Sequence, residues 1–322
     1  MSRPVIVVTR RLPDPVEQQL SAHFEVRLNP TDIPSTAASL ADALREGDGV
    51  LCTVTDRLTA EVLATTPRRA KILANFGVGF NHVDIAAAKA QGIVVTNTPG
   101  VLTDDTADLT MTLLLATARR AGEGERLVRA GKWSGWRPTQ LLGTRVTGKV
   151  LGLVGFGRIG RAVAERARLG FGMTVLAYDP SLPVGAEAAP GVRRCGTLAE
   201  LLGASDFVSL HCPATPETRH LMNAETIAQM RPHAILVNTA RGDVVDEAAL
   251  AAALARHDIA AAGLDVYEGE PAVHPGLLAL ENAVLLPHLG SATAETRLAM
   301  GECAMANLVA YFAGQAPPDR VA

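Results

Sequence analysis

Residues Gly155-Phe156-Gly157-Arg158-Ile159-Gly160 set three glycines at GxGxxG spacing, directly after the apolar run Val150 to Val154 and directly before the helix-like stretch Arg161 to Leu169. Few sequence features constrain a fold more tightly. A strand that passes through such a loop into a helix belongs to a parallel βαβ unit. The first glycine permits the tight turn, the second lets backbone approach a pyrophosphate, and the third lets helix and strand pack closely. The next β-branched run, Thr174 to Tyr178, ends at Asp179, about 20 residues past the last glycine, where a carboxylate can accept hydrogen bonds from an adenosine ribose. The pattern predicts a dinucleotide held by Gly155, Gly157, Arg158, Ile159, Gly160 and Asp179. Asp179 opposes a ribose 2′-phosphate and no arginine follows it immediately, so NAD is expected over NADP. Arg158 and the pair Arg193-Arg194 keep NADP possible.

Short β-branched runs alternate with Ala- and Leu-rich stretches along the whole chain. Val5 to Thr9, Gly49 to Cys52, Lys71 to Ala74 and Ile93 to Thr96 read as strands ahead of the glycine motif. Val150 to Val154, Thr174 to Tyr178, Phe207 to Leu210, Ala234 to Asn238, Ala261 to Asp265 and Ala283 to Leu286 read as six more. Such a rhythm predicts parallel α/β sheets, and 322 residues are long for one core, so two lobes are expected. The breaker cluster Asn97-Thr98-Pro99-Gly100 marks one crossing. Pro287-His288-Leu289-Gly290-Ser291 marks another, before a final helical stretch from Ala292 to Phe312 that can return to the first lobe. The expected division is 1–98 plus 290–322 as a substrate-binding domain and 99–289 as a dinucleotide-binding Rossmann domain. Thr103-Asp104-Asp105 signals the start of a helix running to Arg119, apolar nearly all round through Leu109, Met111, Leu113, Leu114, Leu115, Ala116 and Ala118. Both its faces need cover. A subunit interface is one natural cover, so a homodimer is expected.

Composition narrows the partners. With 48% hydrophobic and 20% charged residues the chain is neither disordered nor coiled-coil. A net charge of -3 without a long basic block gives no footing for nucleic acid or a membrane surface. Met1 to Pro13 lacks a signal-peptide core, and the stretch around Leu109 to Ala118 is well short of a bilayer span. Cys52, Cys195, Cys212 and Cys303 show no CxxC pairing, which fits a reducing compartment. His82, His220, His233 and His274 lack metal-ligand spacing, so no metal is expected. These features predict a cytoplasmic protein acting on a small molecule.

Five segments, in order, carry a resemblance: Asn75 to Asp84 (Asn-Phe-Gly-Val-Gly-Phe-Asn-His-Val-Asp), Gly155 to Gly160, Val237 to Gly242 (Val-Asn-Thr-Ala-Arg-Gly), Gly263 to Pro271, and Pro287 to Ser291. Together they resemble the D-isomer-specific 2-hydroxyacid dehydrogenases, particularly glyoxylate and hydroxypyruvate reductases, over nearly the whole chain. The resemblance implies two Rossmann-like or flavodoxin-like lobes with parallel sheets and an active site in the cleft between them. It implies Arg241, Glu270 and His288 as the catalytic set. The chemistry asks for those types: as hydride adds to a keto carbon, an acid must put a proton on the keto oxygen, and His288 is that acid. A paired carboxylate, Glu270, favours the imidazolium and orients the ring. A guanidinium, Arg241, can hold the planar substrate carboxylate and polarise the neighbouring carbonyl.

The same resemblance implies that backbone N–H groups of Val78 and Gly79 take the remaining carboxylate oxygen. It places Thr106 and Asp265 near the nicotinamide, Pro213 and Thr218 on the adenosine side, and Thr239, Ala240 and Gly290 along the cofactor. Trp136 either projects towards a partner subunit's active site or packs a dimer arm. Cys212, beside His211, matches a loop on the adenine side rather than a thiol catalyst. The expected activity is reduction of small 2-oxoacids, glyoxylate and hydroxypyruvate, to D-2-hydroxyacids with NADH. The alternatives are another D-2-hydroxyacid or phosphite dehydrogenase, or a non-catalytic NAD-sensing protein of the same fold. Phosphoglycerate dehydrogenase is disfavoured because Cys52 to Asp56 has no basic residue and 322 residues are expected to be too few for the regulatory domain that many such enzymes add. Formate dehydrogenase is disfavoured because Glu270 stands where it carries Gln.

Overall fold

A computed structural model describes residues 3–183 and 187–322. The chain forms two compact units, Met1–Leu102 with Ser291–Ala322, and Thr103–Gly290. Among the described residues the first unit holds a five-stranded parallel sheet of β1 (Val5–Val8), β2 (Glu25–Arg27), β3 (Gly49–Thr53), β4 (Ile72–Phe76) and β5 (Val94–Thr96), in the order β2-β1-β3-β4-β5. β3 and β4, inside the sheet, are mostly apolar and buried along their whole length. The helix Ala294–Phe312 starts at Thr293, whose side chain accepts the Thr296 N–H, and it packs on β4 and on the helix Asp14–His23 within this unit.

The second unit holds a seven-stranded parallel sheet of β6 (Val150–Val154), β7 (Thr174–Tyr178), β8 (Val192–Arg194), β9 (Phe207–Leu210), β10 (Ile235–Asn238), β11 (Ala261–Leu264) and β12 (Ala283–Leu285). Their order is β12-β11-β10-β9-β6-β7-β8. The order reverses between β6 and β9, so the loops leaving the carboxyl ends of these two strands diverge and open a crevice there.

Two strands, β2 and β8, fall outside the sequence reading. Each has three residues, Glu25-Val26-Arg27 and Val192-Arg193-Arg194, and each closes one edge of its sheet. An edge strand has one open side, tolerates charge, and leaves no apolar run to find.

Both units tie their first strand in the same way to the aspartate just before a neighbouring strand, β3 in one and β9 in the other. Val5 N–H donates to Asp48 Oδ2 at 2.8 Å while Asp48 N–H donates to Val5 O at 2.7 Å. Val150 N–H donates to Asp206 Oδ2 at 2.9 Å while Asp206 N–H donates to Val150 O at 2.9 Å. Arg69 pairs with Asp48, and Arg231 and His233 pair with Asp206.

The apolar helix Thr103–Ala118 is covered mainly by its own unit. Thr103 is its first helical residue rather than a cap, and Asp104 and Asp105 sit in the first turn, where the helix N-terminus favours negative charge. It packs against the helix Arg158–Phe171 and against β10, β11 and β12, burying Ala107, Met111, Leu113, Leu114 and Ala118. Leu109, Leu115 and Ala116 stay half-buried. Four large exposed apolar side chains, Val128, Trp133, Trp136 and Leu142, cluster in the next segment, while others such as Ile33, Leu169 and Leu278 are scattered over the chain. Among the described residues no helix is long and apolar enough to cross a membrane.

Candidate active site

The glycine loop leaves β6 at Gly155, whose φ of 92° lies in the left-handed region. A Cβ there would sit 2.6 Å from the Cys212 nitrogen, and a Cβ on Gly160 would sit 2.6 Å from the Gly155 carbonyl oxygen, so the loop and the helix after it close up only on glycine. Gly157 is different. A Cβ there meets nothing within 4 Å, and Gly157 caps the helix Arg158–Phe171 without a side-chain hydrogen bond. Gly157 and Arg158 are exposed and Ile159 is half-buried. The first-turn N–H groups therefore face open space at the positive end of a helix. Asp179, at the end of β7, is tied to the same loop: its Oδ2 accepts the Phe156 N–H at 2.9 Å, and its Oδ1 accepts the N–H and hydroxyl of Ser181 at 2.9 and 2.6 Å. Burial pushes the Asp179 carboxyl up, but the Ser181 and Phe156 bonds and the charge of Arg161 outweigh it and hold the group below its ordinary value.

Farther along the sheet, β10 delivers Arg241 and the turn after β11 delivers Glu270. His288 follows β12. Glu270 Oε2 lies 2.8 Å from His288 Nδ1, and its Oε1 accepts the Tyr267 N–H at 3.0 Å. Arg241 Nη1 donates to the Ala240 carbonyl at 2.6 Å, and its own carbonyl accepts from Asn238 Nδ2 at 2.9 Å. The next residue has no room for a side chain: a Cβ on Gly242 would lie 1.9 Å from the Tyr267 carbonyl carbon. That contact draws the Arg241 segment against the turn carrying Glu270. Burial pushes the Arg241 guanidinium down from its usual value, against the charges of Glu270 and Asp243, yet a guanidinium stays protonated at any physiological pH.

His288 adopts a φ of 55°, unusual for a side-chain-bearing residue. Asp265 holds the segment in place. Its carbonyl accepts the His288 N–H at 2.9 Å, and its carboxylate oxygens accept the N–H groups of Leu289 and Gly290 at 2.7 and 2.9 Å. Thr106 Oγ1 donates to the Gly290 carbonyl at 3.0 Å, so this segment is fixed from the helix Thr103–Ala118 as well. Burial pushes the Asp265 carboxyl up, more than these N–H groups and His288 pull it down.

The remaining expected residues are placed as follows. Thr239 Oγ1 lies 2.8 Å from the buried Thr110 hydroxyl, next to half-buried Ala240. Thr218 Oγ1 donates to the Pro213 carbonyl at 2.6 Å and accepts the Thr215 N–H at 2.8 Å, closing the loop after β9 on itself. Trp136 is 82% exposed on the segment after the helix Ala121–Arg129. Val78 and Gly79 belong to the first unit, half-buried on the loop after β4.

Residues 111–290 match the family model described as "D-isomer specific 2-hydroxyacid dehydrogenase, NAD binding domain". The glyoxylate reductase of Thermococcus litoralis is 44% identical to the chain, over 99% of it and 97% of the relative. That of Korarchaeum cryptofilum is 45% identical, over 99% and 96%. The chain belongs to the D-isomer-specific 2-hydroxyacid dehydrogenase family. Among solved structures, an NADPH-dependent glyoxylate/hydroxypyruvate reductase from Sinorhizobium meliloti, in complex with NADP and malonate, is 37% identical with a TM-score of 0.88, covering 100% of this chain and 97% of the other.

As a 2-hydroxyacid dehydrogenase the chain takes an NAD(P) cofactor, and its glycine loop fits one: an open Cβ position at Gly157 and uncapped N–H groups suit a pyrophosphate, and an ionised Asp179 suits ribose hydroxyls. Two residues of this dehydrogenase escaped the sequence reading. Buried Glu247 accepts the Glu268 N–H at 2.7 Å and the His274 N–H at 3.1 Å, pinning both ends of the turn that carries Glu270. The Tyr267 hydroxyl donates to the Leu286 carbonyl at 2.8 Å and so ties the end of β11 to the end of β12, which leads to His288. In sequence Glu247 looks like an ordinary acid in a helix first turn. The half-buried His211 ring, 2.9 Å from Ser209 Oγ, is pushed down to about 4 by burial. Burial pushes the Cys212 thiol up to about 11, so it carries no thiolate at neutral pH.

Proposed function

We propose that this dehydrogenase reduces glyoxylate, and with it hydroxypyruvate, to the corresponding hydroxyacids, using NADH in preference to NADPH. The observation that carries the reading is the 2.8 Å contact between Glu270 Oε2 and His288 Nδ1. With Nδ1 committed to the carboxylate, Nε2 is the nitrogen that delivers a proton to the keto oxygen. Bound NAD(P)H supplies the hydride to the keto carbon. Arg241 grips the substrate carboxylate as a planar fork, and the N–H groups of Val78 and Gly79 take the rest of that charge. Thr106, Asp265 and Gly290 serve the nicotinamide end by fixing the segment around His288. Pro213, Thr218, Thr239 and Ala240 shape the walls along the dinucleotide. In this reading residues 1–98 with 290–322 bind substrate and residues 99–289 bind the dinucleotide.

The enzyme acts in the cytoplasm as a homodimer. The arm bearing Val128, Trp133, Trp136 and Leu142, exposed by 57, 53, 82 and 67%, supplies apolar surface for a second copy. Trp136 is the arm residue assigned to the substrate side of the partner. Steady-state assays of NADH and NADPH against glyoxylate, hydroxypyruvate, pyruvate and phosphohydroxypyruvate test the whole reading. The highest kcat/KM is expected for glyoxylate or hydroxypyruvate with NADH; no turnover of any oxoacid would replace the enzyme with a dinucleotide-binding protein.

A further inference from the structure

The loop after β4 has its carbonyls held one after another by two side-chain amides. Asn75 Nδ2 donates to Gly77 O and to Gly79 O, both at 2.9 Å, and Asn97 Nδ2 donates to Val78 O at 2.8 Å. The Thr98 N–H adds a second donor to Gly77 O at 3.1 Å. In a trans peptide the N–H points opposite to the carbonyl of the same plane. No cis peptide occurs in this loop. Holding the carbonyls of Gly77, Val78 and Gly79 therefore turns the N–H groups of Val78, Gly79 and Phe80 away from the amides that hold their planes. These three N–H groups have no hydrogen-bond partner among the described residues.

The orientation of Asn75 is forced. Its side chain is 1% exposed and its Oδ1 has no partner among the described residues, while both amide protons are engaged. Reversed, the amide would set its oxygen against two carbonyl oxygens.

We propose that Asn75 and Asn97 are positioning residues that aim the Val78 and Gly79 N–H groups at the carboxylate of the 2-oxoacid, a role that rests on the reductase reading above. Neither asparagine touches the substrate; each acts through the peptide plane that it holds.

Asn97→Leu keeps the volume and removes the donor. The expected result is a rise of about 10- to 100-fold in the KM for glyoxylate, the range for weakened hydrogen bonds to a charged group. The Kd for NADH, read by fluorescence quenching, stays at the wild-type value. Binding of oxalate, a planar dicarboxylate, to the enzyme–NADH complex weakens in step, and Asn97→Gln, which retains a donor, recovers part of the loss. Asn75→Leu frees Gly79 O and leaves Gly77 O with the Thr98 N–H alone, so it is expected to raise the same KM by less than Asn97→Leu; should it fail to fold, Asn97→Leu decides alone. A folded Asn97→Leu enzyme with unchanged oxalate affinity, or one that loses NADH and oxalate affinity equally, would overturn the proposal. Absence of glyoxylate reduction in the wild type would instead sink the reductase reading, and oxalate binding would still report on the anchor.

Discussion

Glu270 and His288 are joined through Oε2 and Nδ1 at 2.8 Å, and the other carboxylate oxygen of Glu270 is held by the Tyr267 N–H at 3.0 Å. Burial pushes the Glu270 carboxyl up, but the hydrogen bond and charge of His288, the Tyr267 N–H and the charge of Arg241 together hold it below its ordinary value. The group is therefore ionised at neutral pH, and its negative charge faces the ring on one defined nitrogen. Ring orientation and charge come from one side chain.

Removal of the ring should hurt turnover and leave cofactor binding alone. His288→Ala is expected to lower kcat by about 10²- to 10⁴-fold, the usual range for lost general acid catalysis, with NADH affinity near wild type. Glu270→Gln keeps the shape and removes the charge, so the alkaline limb of kcat/KM for glyoxylate reduction should move to lower pH. On the acid side the sign is opposite: because the Glu270 carboxyl is held low, the wild-type pair survives until the pH falls below the ordinary carboxylate range. A pH profile identical in wild type and Glu270→Gln would show that the proton comes from another group.

Cofactor choice should respond to Asp179. Its carboxylate also anchors the Phe156 N–H, so Asp179→Asn is a cleaner change than alanine: an acceptor remains and the charge goes. The ratio of kcat/KM for NADH over NADPH is expected to fall in the variant. A wild-type enzyme that prefers NADPH would refute the reading of this carboxylate.

Acid stability should depend on Asp206. Burial pushes its carboxyl up, but the Val150 N–H, a hydrogen bond from His233, the charge of Lys149 and a hydrogen bond from Arg231 hold it below the ordinary value. A carboxylate whose folded value is depressed adds stability above its unfolded pKa, and that contribution disappears as the pH falls through the folded value. Asp206→Asn is expected to cost about 1–3 kcal/mol at neutral pH, as lost charge-assisted hydrogen bonds do. The difference in melting temperature from wild type should shrink as the pH is taken below 4; a constant difference down to pH 2 would mean the charge does not matter.

The exposed arm should govern assembly. Replacing Trp133 and Trp136 by glutamate is expected to shift sedimentation from dimer to monomer at micromolar concentration. A monomeric wild type would remove the homodimer altogether.

Much of the architecture was legible because its signals are local. The strands β6, β7 and β9 begin and end where their apolar runs do, since period and run length are read within a few residues. β2 and β8 were not legible, because a three-residue segment with two charges at a sheet edge becomes a strand only through the neighbour it pairs with. The helix Thr103–Ala118 shows the same limit in reverse: its all-round apolar sequence demanded cover, and sequence could not say that its own sheet and the helix Arg158–Phe171 supply most of it.

By itself the sequence determined the kinds of groups available: a glycine loop after a strand, an acid one strand on, and an arginine, a glutamate and a histidine in that order. Those follow from residue identity and short-range geometry. Only the tertiary structure decided how the groups are held. Asp265 grips the backbone of residues 24 and 25 positions away, Glu247 pins a turn 21 and 27 positions away, and Thr106 reaches Gly290 across 184. Such pairings depend on which strands lie side by side, and strand order is set by the packing of the whole sheet, not by any local pattern.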